Sequence, residues 1–288
     1  MSELEEAIST ATGSPFKQSG ASSIGGGCIN QANRITGIDG RDFFVKFNQP
    51  SFAPFFQAEA QALKEIRETK TVQTPAVIAH GLAKEEAYLV LEFITEGSSS
   101  PKGQAQLGAQ LAKMHRIQKP FFGWKLDNCI GATPQPNPSS DNWTEFYRDQ
   151  RLAHQFNLAA QKGRRFEGSD ALLEKIDSFF ESYHPHPSLV HGDLLGGNAG
   201  YDSNGDPFIF DPASYYGDRE TDLAFTYMFG GFSSSFYKAY EQEFPLDRGF
   251  QVRKILYNLY HELNHFNLFG GGYASSAQSS IDNLLRSS

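Results

Sequence analysis

His191-Gly192-Asp193-Leu194-Leu195-Gly196-Gly197-Asn198, followed by the short apolar run Phe208-Ile209-Phe210 and then Asp211, is the stretch on which the fold turns. Catalytic loops of kinases read His-x-Asp-x-x-x-x-Asn, and here the aspartate and the asparagine stand five positions apart. Phosphoryl transfer needs both groups. A carboxylate orients the attacking hydroxyl and takes its proton, while a carboxamide oxygen holds a metal ion on the phosphates. A pattern this short also occurs by accident as a hydrophilic turn. Asp211 weighs against accident, because a carboxylate at a strand end just after the loop is where kinases place a second metal ligand. Asp193 is therefore the candidate base, and Asn198 and Asp211 are the candidate metal ligands. The expected cofactors are ATP and Mg2+, since a triphosphate beside an acidic protein needs divalent cations to offset its charge. Alone, Asp211 would read as a turn cap before Pro212.

Upstream, Ile24-Gly25-Gly26-Gly27-Cys28-Ile29 sets three glycines between apolar segments. It matches neither the Walker nor the dinucleotide pattern. Before a strand lysine it reads as a flap whose backbone amides (Gly25, Gly26, Gly27) approach phosphates. Asp39-Gly40 marks a hairpin turn, and Phe43 to Phe47 a strand. In that strand Lys46 faces away from Val45 and Phe47, toward the nucleotide. Phe55, Ala58, Ala62, Leu63 and Ile66 recur at helical spacing, with Pro54 in the first turn, and Glu59 on that helix is the expected partner of Lys46. Each charge alone is more often a solvated surface group; the order glycine loop, lysine, glutamate, catalytic loop, metal aspartate is harder to obtain by chance. Two more strands are expected near residues 75–81 and 87–93, with backbone groups at Glu92 and Ile94 offered to adenine.

Composition shifts at Gly97-Ser98-Ser99-Ser100-Pro101, read as the connection between lobes. The expected division is an N-terminal nucleotide-binding lobe, 1–94, and a C-terminal catalytic and substrate-binding lobe, 95–288. Beyond the connection come a helix ending near Arg116, a Pro- and Asn-rich loop over 123–142, and helical patterns over 143–158, 170–183 and much of 221–285. Asn204-Gly205 supplies a turn between two short strands. The fold class is α+β: a protein-kinase-like bilobal fold with a small β-rich N-lobe and a larger helical C-lobe. Asp211 is followed by Pro212-Ala213 rather than Phe-Gly, no Ala-Pro-Glu follows, and Asp222 comes only 11 positions later. That is short for a loop presenting an extended peptide, so a small acceptor is expected. Asp222 reads as a structural group bonding the catalytic-loop backbone.

The chain has 288 residues, 39% hydrophobic and 20% charged, with a formal charge of −8. An acidic chain has no electrostatic reason to seek nucleic acid or an anionic membrane, so neither is an expected partner. The acidic N-terminus lacks the basic, apolar pattern of a secretory signal, and two cysteines argue against a disulfide scaffold. A cytoplasmic protein is expected. Cys28, in the glycine loop near Lys46, is a candidate low-pKa thiol and hence a candidate redox-linked homodimer contact, against the alternative of a small apolar filler.

Family-specific segments add to this. His191–Asn198, the run Phe210-Asp211-Pro212-Ala213-Ser214-Tyr215-Tyr216-Gly217-Asp218, Phe229-Gly230-Gly231-Phe232, Leu263-Asn264-His265-Phe266-Asn267-Leu268-Phe269-Gly270, Asn128-Cys129-Ile130-Gly131, Pro134-Gln135-Pro136-Asn137 and Arg151-Leu152 together resemble the fructosamine kinases, or ketosamine-3-kinases. The resemblance implies ATP-dependent phosphorylation of the sugar 3-hydroxyl of ketoamines, free or protein-bound, in deglycation. It also implies that a cysteine at position 28 can take part in redox control. Many members carry Trp-Ser where this chain has Leu195-Gly196, and His where it has Asp218. A lost indole beside the base changes how the sugar is held and counts against fructosamine itself, and the resemblance to microbial relatives, which often prefer ribulosamines or erythrulosamines, implies those adducts. An aminoglycoside- or choline-type small-molecule kinase and a non-catalytic pseudokinase are the alternatives.

Overall fold

The computed structural model describes residues 2–25 and 29–287, so Gly26, Gly27 and Cys28 lie outside the described residues. In chain order the first elements are α1 (Glu3–Thr12), β1 (Gln18–Ser23), β2 (Gln31–Gly37), β3 (Asp42–Asn48), α2 (Ala53–Glu68), β4 (Val77–Ala83) and β5 (Glu86–Glu92). Then follow α3 (Pro101–Met114), β6 (Asn128–Ile130), β7 (Thr133–Gln135), α4 (Trp143–Tyr147), α5 (His154–Gln161), α6 (Ser169–Lys175) and β8 (Ser188–Val190). The chain closes with β9 (Ala199–Tyr201), β10 (Pro207–Ile209), β11 (Tyr215–Gly217), α7 (Glu220–Thr226), α8 (Ser234–Glu243), α9 (Phe250–Phe269) and α10 (Tyr273–Arg286).

Two compact units divide these elements: Met1–Gly103 with Gly197–Pro212, and Gln104–Gly196 with Ala213–Ser288. This differs from a single cut at 94/95. The hairpin β9–β10 returns to the first unit because Gly97 N donates to Tyr201 O (2.7 Å) and Ile209 N to Gln73 O (2.9 Å).

The first unit is built on an antiparallel sheet of order β1-β2-β3-β5-β4. Gly40, at φ 79°, makes the β2–β3 turn. One face of the sheet buries Phe43, Val45 and Val90 with Leu4 and Ile8 of α1. That first helix is capped reciprocally: Ser2 Oγ accepts from Glu5 N at 3.2 Å, and Glu5 Oε2 accepts from Ser2 N at 2.7 Å. The helix was not anticipated, although Ser-x-x-Glu before an apolar pair was its signal. The other elements packed on the sheet include α2, which meets β4 and β5 and buries Phe56, Ala60, Leu63 and Ile66 along one stripe.

In the second unit α7, α5 and α10 pack on the 20-residue α9. The helix expected over 143–158 is interrupted by a π-helical turn, Arg148–Ala153. One extra residue per turn re-aims the side chains there, and Arg151 and Leu152 both end fully buried. The loop expected over 123–142 contains the hairpin β6–β7. A further pair, β8 with β11, sets Val190 opposite Tyr215. Among the described residues, no helix is long and apolar enough to cross a membrane.

Candidate active site

Within the first unit Lys46 sits in β3 opposite Ala32 of β2 and Leu89 of β5, and only 4% of it is exposed. Alternation sends Val45 into the apolar cluster and Lys46 to the other face. There Lys46 Nζ donates to Glu59 Oε1 of α2 at 2.7 Å and to Asp211 Oδ1 at 2.5 Å. Burial alone would lower the ammonium pKa, but the charges of Asp211 and Glu59 outweigh it and hold the pKa above its ordinary value. Burial pushes the Glu59 carboxyl up to about 7, with Lys46 opposing and Asp211 adding to the rise.

Asp211 adopts φ 58°, in the left-handed region. That conformation costs a non-glycine residue about 1–3 kcal/mol and is typical of functional sites, and Pro212 further disfavours the right-handed alternative. The hairpin holds it there: Ile209 pairs with Ala199 and Phe210 N donates to Asn198 O at 3.0 Å. Asn198 and Asp211 therefore flank the same end of the hairpin. A carboxamide and a carboxylate offer hard oxygens, which suits Mg2+ bound through one or two protein groups plus substrate phosphates. Among the described residues no group of three or more His, Cys, Asp or Glu could hold a metal by itself.

The remaining first-unit candidates lie at strand ends. Gly25 follows β1, and a Cβ there would meet nothing within 4 Å among the described residues, so space alone does not demand glycine. Glu92 closes β5: its N donates to Ala76 O (2.8 Å) and its Oε2 accepts from Ala76 N (3.0 Å), so that amide is already committed within the sheet. Ile94, half-buried, lies just past the strand.

In the second unit the loop carrying half-buried Asp193 is held by α7. Asp222, 1% exposed, accepts from His191 N (2.7 Å, Oδ2) and Gly192 N (2.8 Å, Oδ1), and His115 Nε2 lies 3.0 Å from Oδ2. Burial pushes the Asp222 carboxyl up, but the hydrogen bond and charge of His115, with His191, overbalance it and leave its pKa below the ordinary value. Gly192 has φ 82°, and a Cβ there would come 2.2 Å from Ala213 O, so glycine is required. Leu195, half-buried, donates its N to Asp193 O at 3.1 Å. Asp218 is fully buried and accepts from Tyr183 (2.8 Å), Tyr257 (2.5 Å) and Glu220 N (3.0 Å). Asn128 and Gln135 stand in segments that carry the family resemblance, but sequence reasoning assigned their carboxamides no role; they bond the backbone after Pro212. In a Pro- and Asn-rich loop they look like turn residues.

Fold neighbours give the class first. The choline kinase of Streptococcus pneumoniae superposes with a TM-score of 0.62 at 15% identity, over 98% of this chain and 97% of that one, which establishes a kinase-like α+β fold. A Haemophilus somnus protein solved under the name fructosamine-3-kinase superposes far better, with a TM-score of 0.92 at 27% identity over 98% and 96% of the two chains. The fructosamine kinase profile matches residues 1–287. A Synechocystis protein named as a ketoamine kinase is 44% identical over 285 residues, covering 98% of this chain and 96% of that protein. The chloroplastic protein-ribulosamine 3-kinase of Arabidopsis thaliana is 43% identical over 270 residues, 92% of this chain and 82% of its own length. The chain belongs to the fructosamine kinase family.

Proposed function

We propose that the protein is an ATP-dependent ketosamine 3-kinase, phosphorylating the sugar 3-hydroxyl of ketoamines in deglycation, with ribulosamine and erythrulosamine adducts ahead of fructosamine. The family match along the chain supports the activity. The observation that carries the site assignment is the buried Lys46 joined to both Glu59 and Asp211, an arrangement that suits a nucleotide site.

In this reading Asp193 orients the attacking 3-hydroxyl and accepts its proton as the oxygen bonds to the γ-phosphorus and ADP leaves. Lys46, kept aligned by Glu59, bonds the α- and β-phosphates. Asn198 and Asp211 would hold Mg2+, which supplies charge neutralisation on the phosphates. Gly25 to Gly27 approach the phosphates, and the chain near Glu92 and Ile94 flanks adenine, Ile94 being the better placed because the Glu92 amide is committed. The acidic net charge favours neither a nucleic-acid nor an anionic-membrane partner, and a cytoplasmic enzyme is the location proposed. Its domains are read as nucleotide-binding and catalytic.

The test is ADP release with ATP and magnesium on ribulose-lysine, erythrulose-lysine, fructose-lysine, choline and an aminoglycoside. Turnover on the ketoamines, highest on the first two, is expected. Turnover confined to choline or the aminoglycoside overturns the substrate class.

A further inference from the structure

Arg151 is a fully buried guanidinium with no carboxylate partner among the described residues. Such a group is costly, and a packed apolar residue would serve stability as well. Nη1 donates instead to Pro136 O (2.7 Å) and Gln150 O (3.2 Å) and Nη2 to Asn137 Oδ1 (2.6 Å), Nε makes no hydrogen bond among the described residues, and the guanidinium lies 4.2 Å from the Tyr215 ring. Claiming the Asn137 oxygen turns that side chain's NH2 outward, toward Asn128 Oδ1 (3.2 Å) and Leu126 O (3.0 Å). With its own oxygen occupied, Asn128 donates to Ser214 O at 2.8 Å. Beside it Gln135 Nε2 donates to Asn128 Oδ1 (2.7 Å) and Ala213 O (3.1 Å), while its oxygen accepts from Tyr260 OH (2.7 Å). Asn137 thus passes the arginine's orientation to Asn128, and Asn128 together with Gln135, itself held by Tyr260, donates to two consecutive backbone carbonyls.

Those carbonyls belong to the segment that seats the catalytic loop. Ala213 N donates to His191 O at 2.9 Å, and Gly192 packs on Ala213 with no room for a Cβ. His191 and Gly192 directly precede Asp193, and Asp222 holds the same two residues through their amides. We propose that Asn128, oriented by Arg151 through Asn137, and Gln135, oriented by Tyr260, are positioning residues that set the aim of Asp193 through the 213–214 backbone, and so govern the phosphoryl-transfer step rather than nucleotide binding.

The proposal rests on the assignment of Asp193 as base, and its test is a ratio of variant to wild type. Gln135→Met keeps volume while removing both the donor and the acceptor. Gln135→Glu keeps shape but sets an oxygen against Ala213 O and Asn128 Oδ1. Leu284→Ala, in α10 and outside the relay, is the control for lost stability. Melting temperature, kcat and KM for ATP are measured on the full chain, below the melting range of every variant. If no ketoamine is accepted, slow ATP hydrolysis replaces it as the readout, which separates failure of the relay from failure of the substrate assignment. The relay requires kcat to fall about tenfold or more in a folded Gln135 variant, about 1.4 kcal/mol of barrier. ATP KM should stay within about twofold and Leu284→Ala should keep its kcat. Unchanged kcat in a folded Gln135 variant, or an equal loss in Leu284→Ala, overturns it. If Gln135→Met does not fold, Gln135→Glu alone decides by the same criteria. Asn128→Leu combined with the folded Gln135 variant should then cost less than the two losses multiplied, as members of one network do; independent losses refute the relay.

Discussion

Removing the Asp222 carboxylate should damage the protein mainly through stability. In the native state it is buried and accepts from His191 N and Gly192 N at 2.7 and 2.8 Å, with His115 Nε2 at 3.0 Å. Asp222→Ala strands two buried amide donors and the histidine. Taking one partner from a buried hydrogen-bonded charged group costs about 3–5 kcal/mol. At about 2–4 °C per kcal/mol for a unit of this size, the melting temperature should drop by about 6–20 °C. Asp222→Asn keeps one acceptor oxygen and turns an NH2 toward an amide donor, so about half that loss is expected. The sign of the pH dependence follows from the lowered native pKa. The unfolded carboxyl binds a proton at higher pH than the native one. The stabilisation is therefore complete above the unfolded value, about 4, and is lost as pH falls through the native value. Differential scanning calorimetry of wild type and Asp222→Asn between pH 7 and pH 3 should show the gap between them narrowing with acid. A melting temperature for Asp222→Ala within 2 °C of wild type would refute the argument (about 0.5–1 kcal/mol at most). So would a stable Asp222→Ala that no longer binds magnesium, because Asp222 would then be a ligand.

Asp193→Asn should keep the fold and ATP affinity while turnover falls by about 10²–10⁴-fold; near-normal turnover would move the base elsewhere. Asp211→Ala should abolish magnesium-dependent turnover in a protein that still melts cooperatively, and activity surviving across a magnesium titration would exclude it as a ligand. Leu195→Trp should change the ratio of kcat/KM between ribulose-lysine and fructose-lysine, whereas equal changes for both would mean a general defect and no change a residue that does not face the sugar. Mild peroxide should lower activity reversibly and give a thiol-sensitive dimer on a non-reducing gel for wild type but not for Cys28→Ala; equal inactivation of both proteins would leave Cys28 without a redox role.

Where the determining interaction is local, the chain's own pattern marks the element, and α1, whose capping box went unread, was legible on the same terms. The period-2 alternation of Phe43 to Phe47 put Lys46 on the face opposite Val45, and the apolar stripe starting at Phe55 defined α2, the helix that carries Glu59. Asp39-Gly40 and Asn204-Gly205 marked their turns because positive φ is a property of one residue, not of the fold. The run from His191 to Asp211 likewise marked a loop, a turn and an aspartate just past a short strand. What stayed illegible depended on partners distant in sequence. The π-helical turn at Arg148–Ala153 follows from burying Arg151 beside Asn137 and Tyr215, and hydropathy alone still predicts an unbroken helix. Asn128 and Gln135 have the composition of a surface loop and became buried donors only because Ala213 and Ser214 present carbonyls to them. Residues 197–212 continue directly from Asp193 in sequence yet pack in the first unit, since their open backbone groups find partners at Gln73 and Gly97. A buried carbonyl must find a donor wherever the folded chain supplies one, and sequence separation carries no information about which residue that will be.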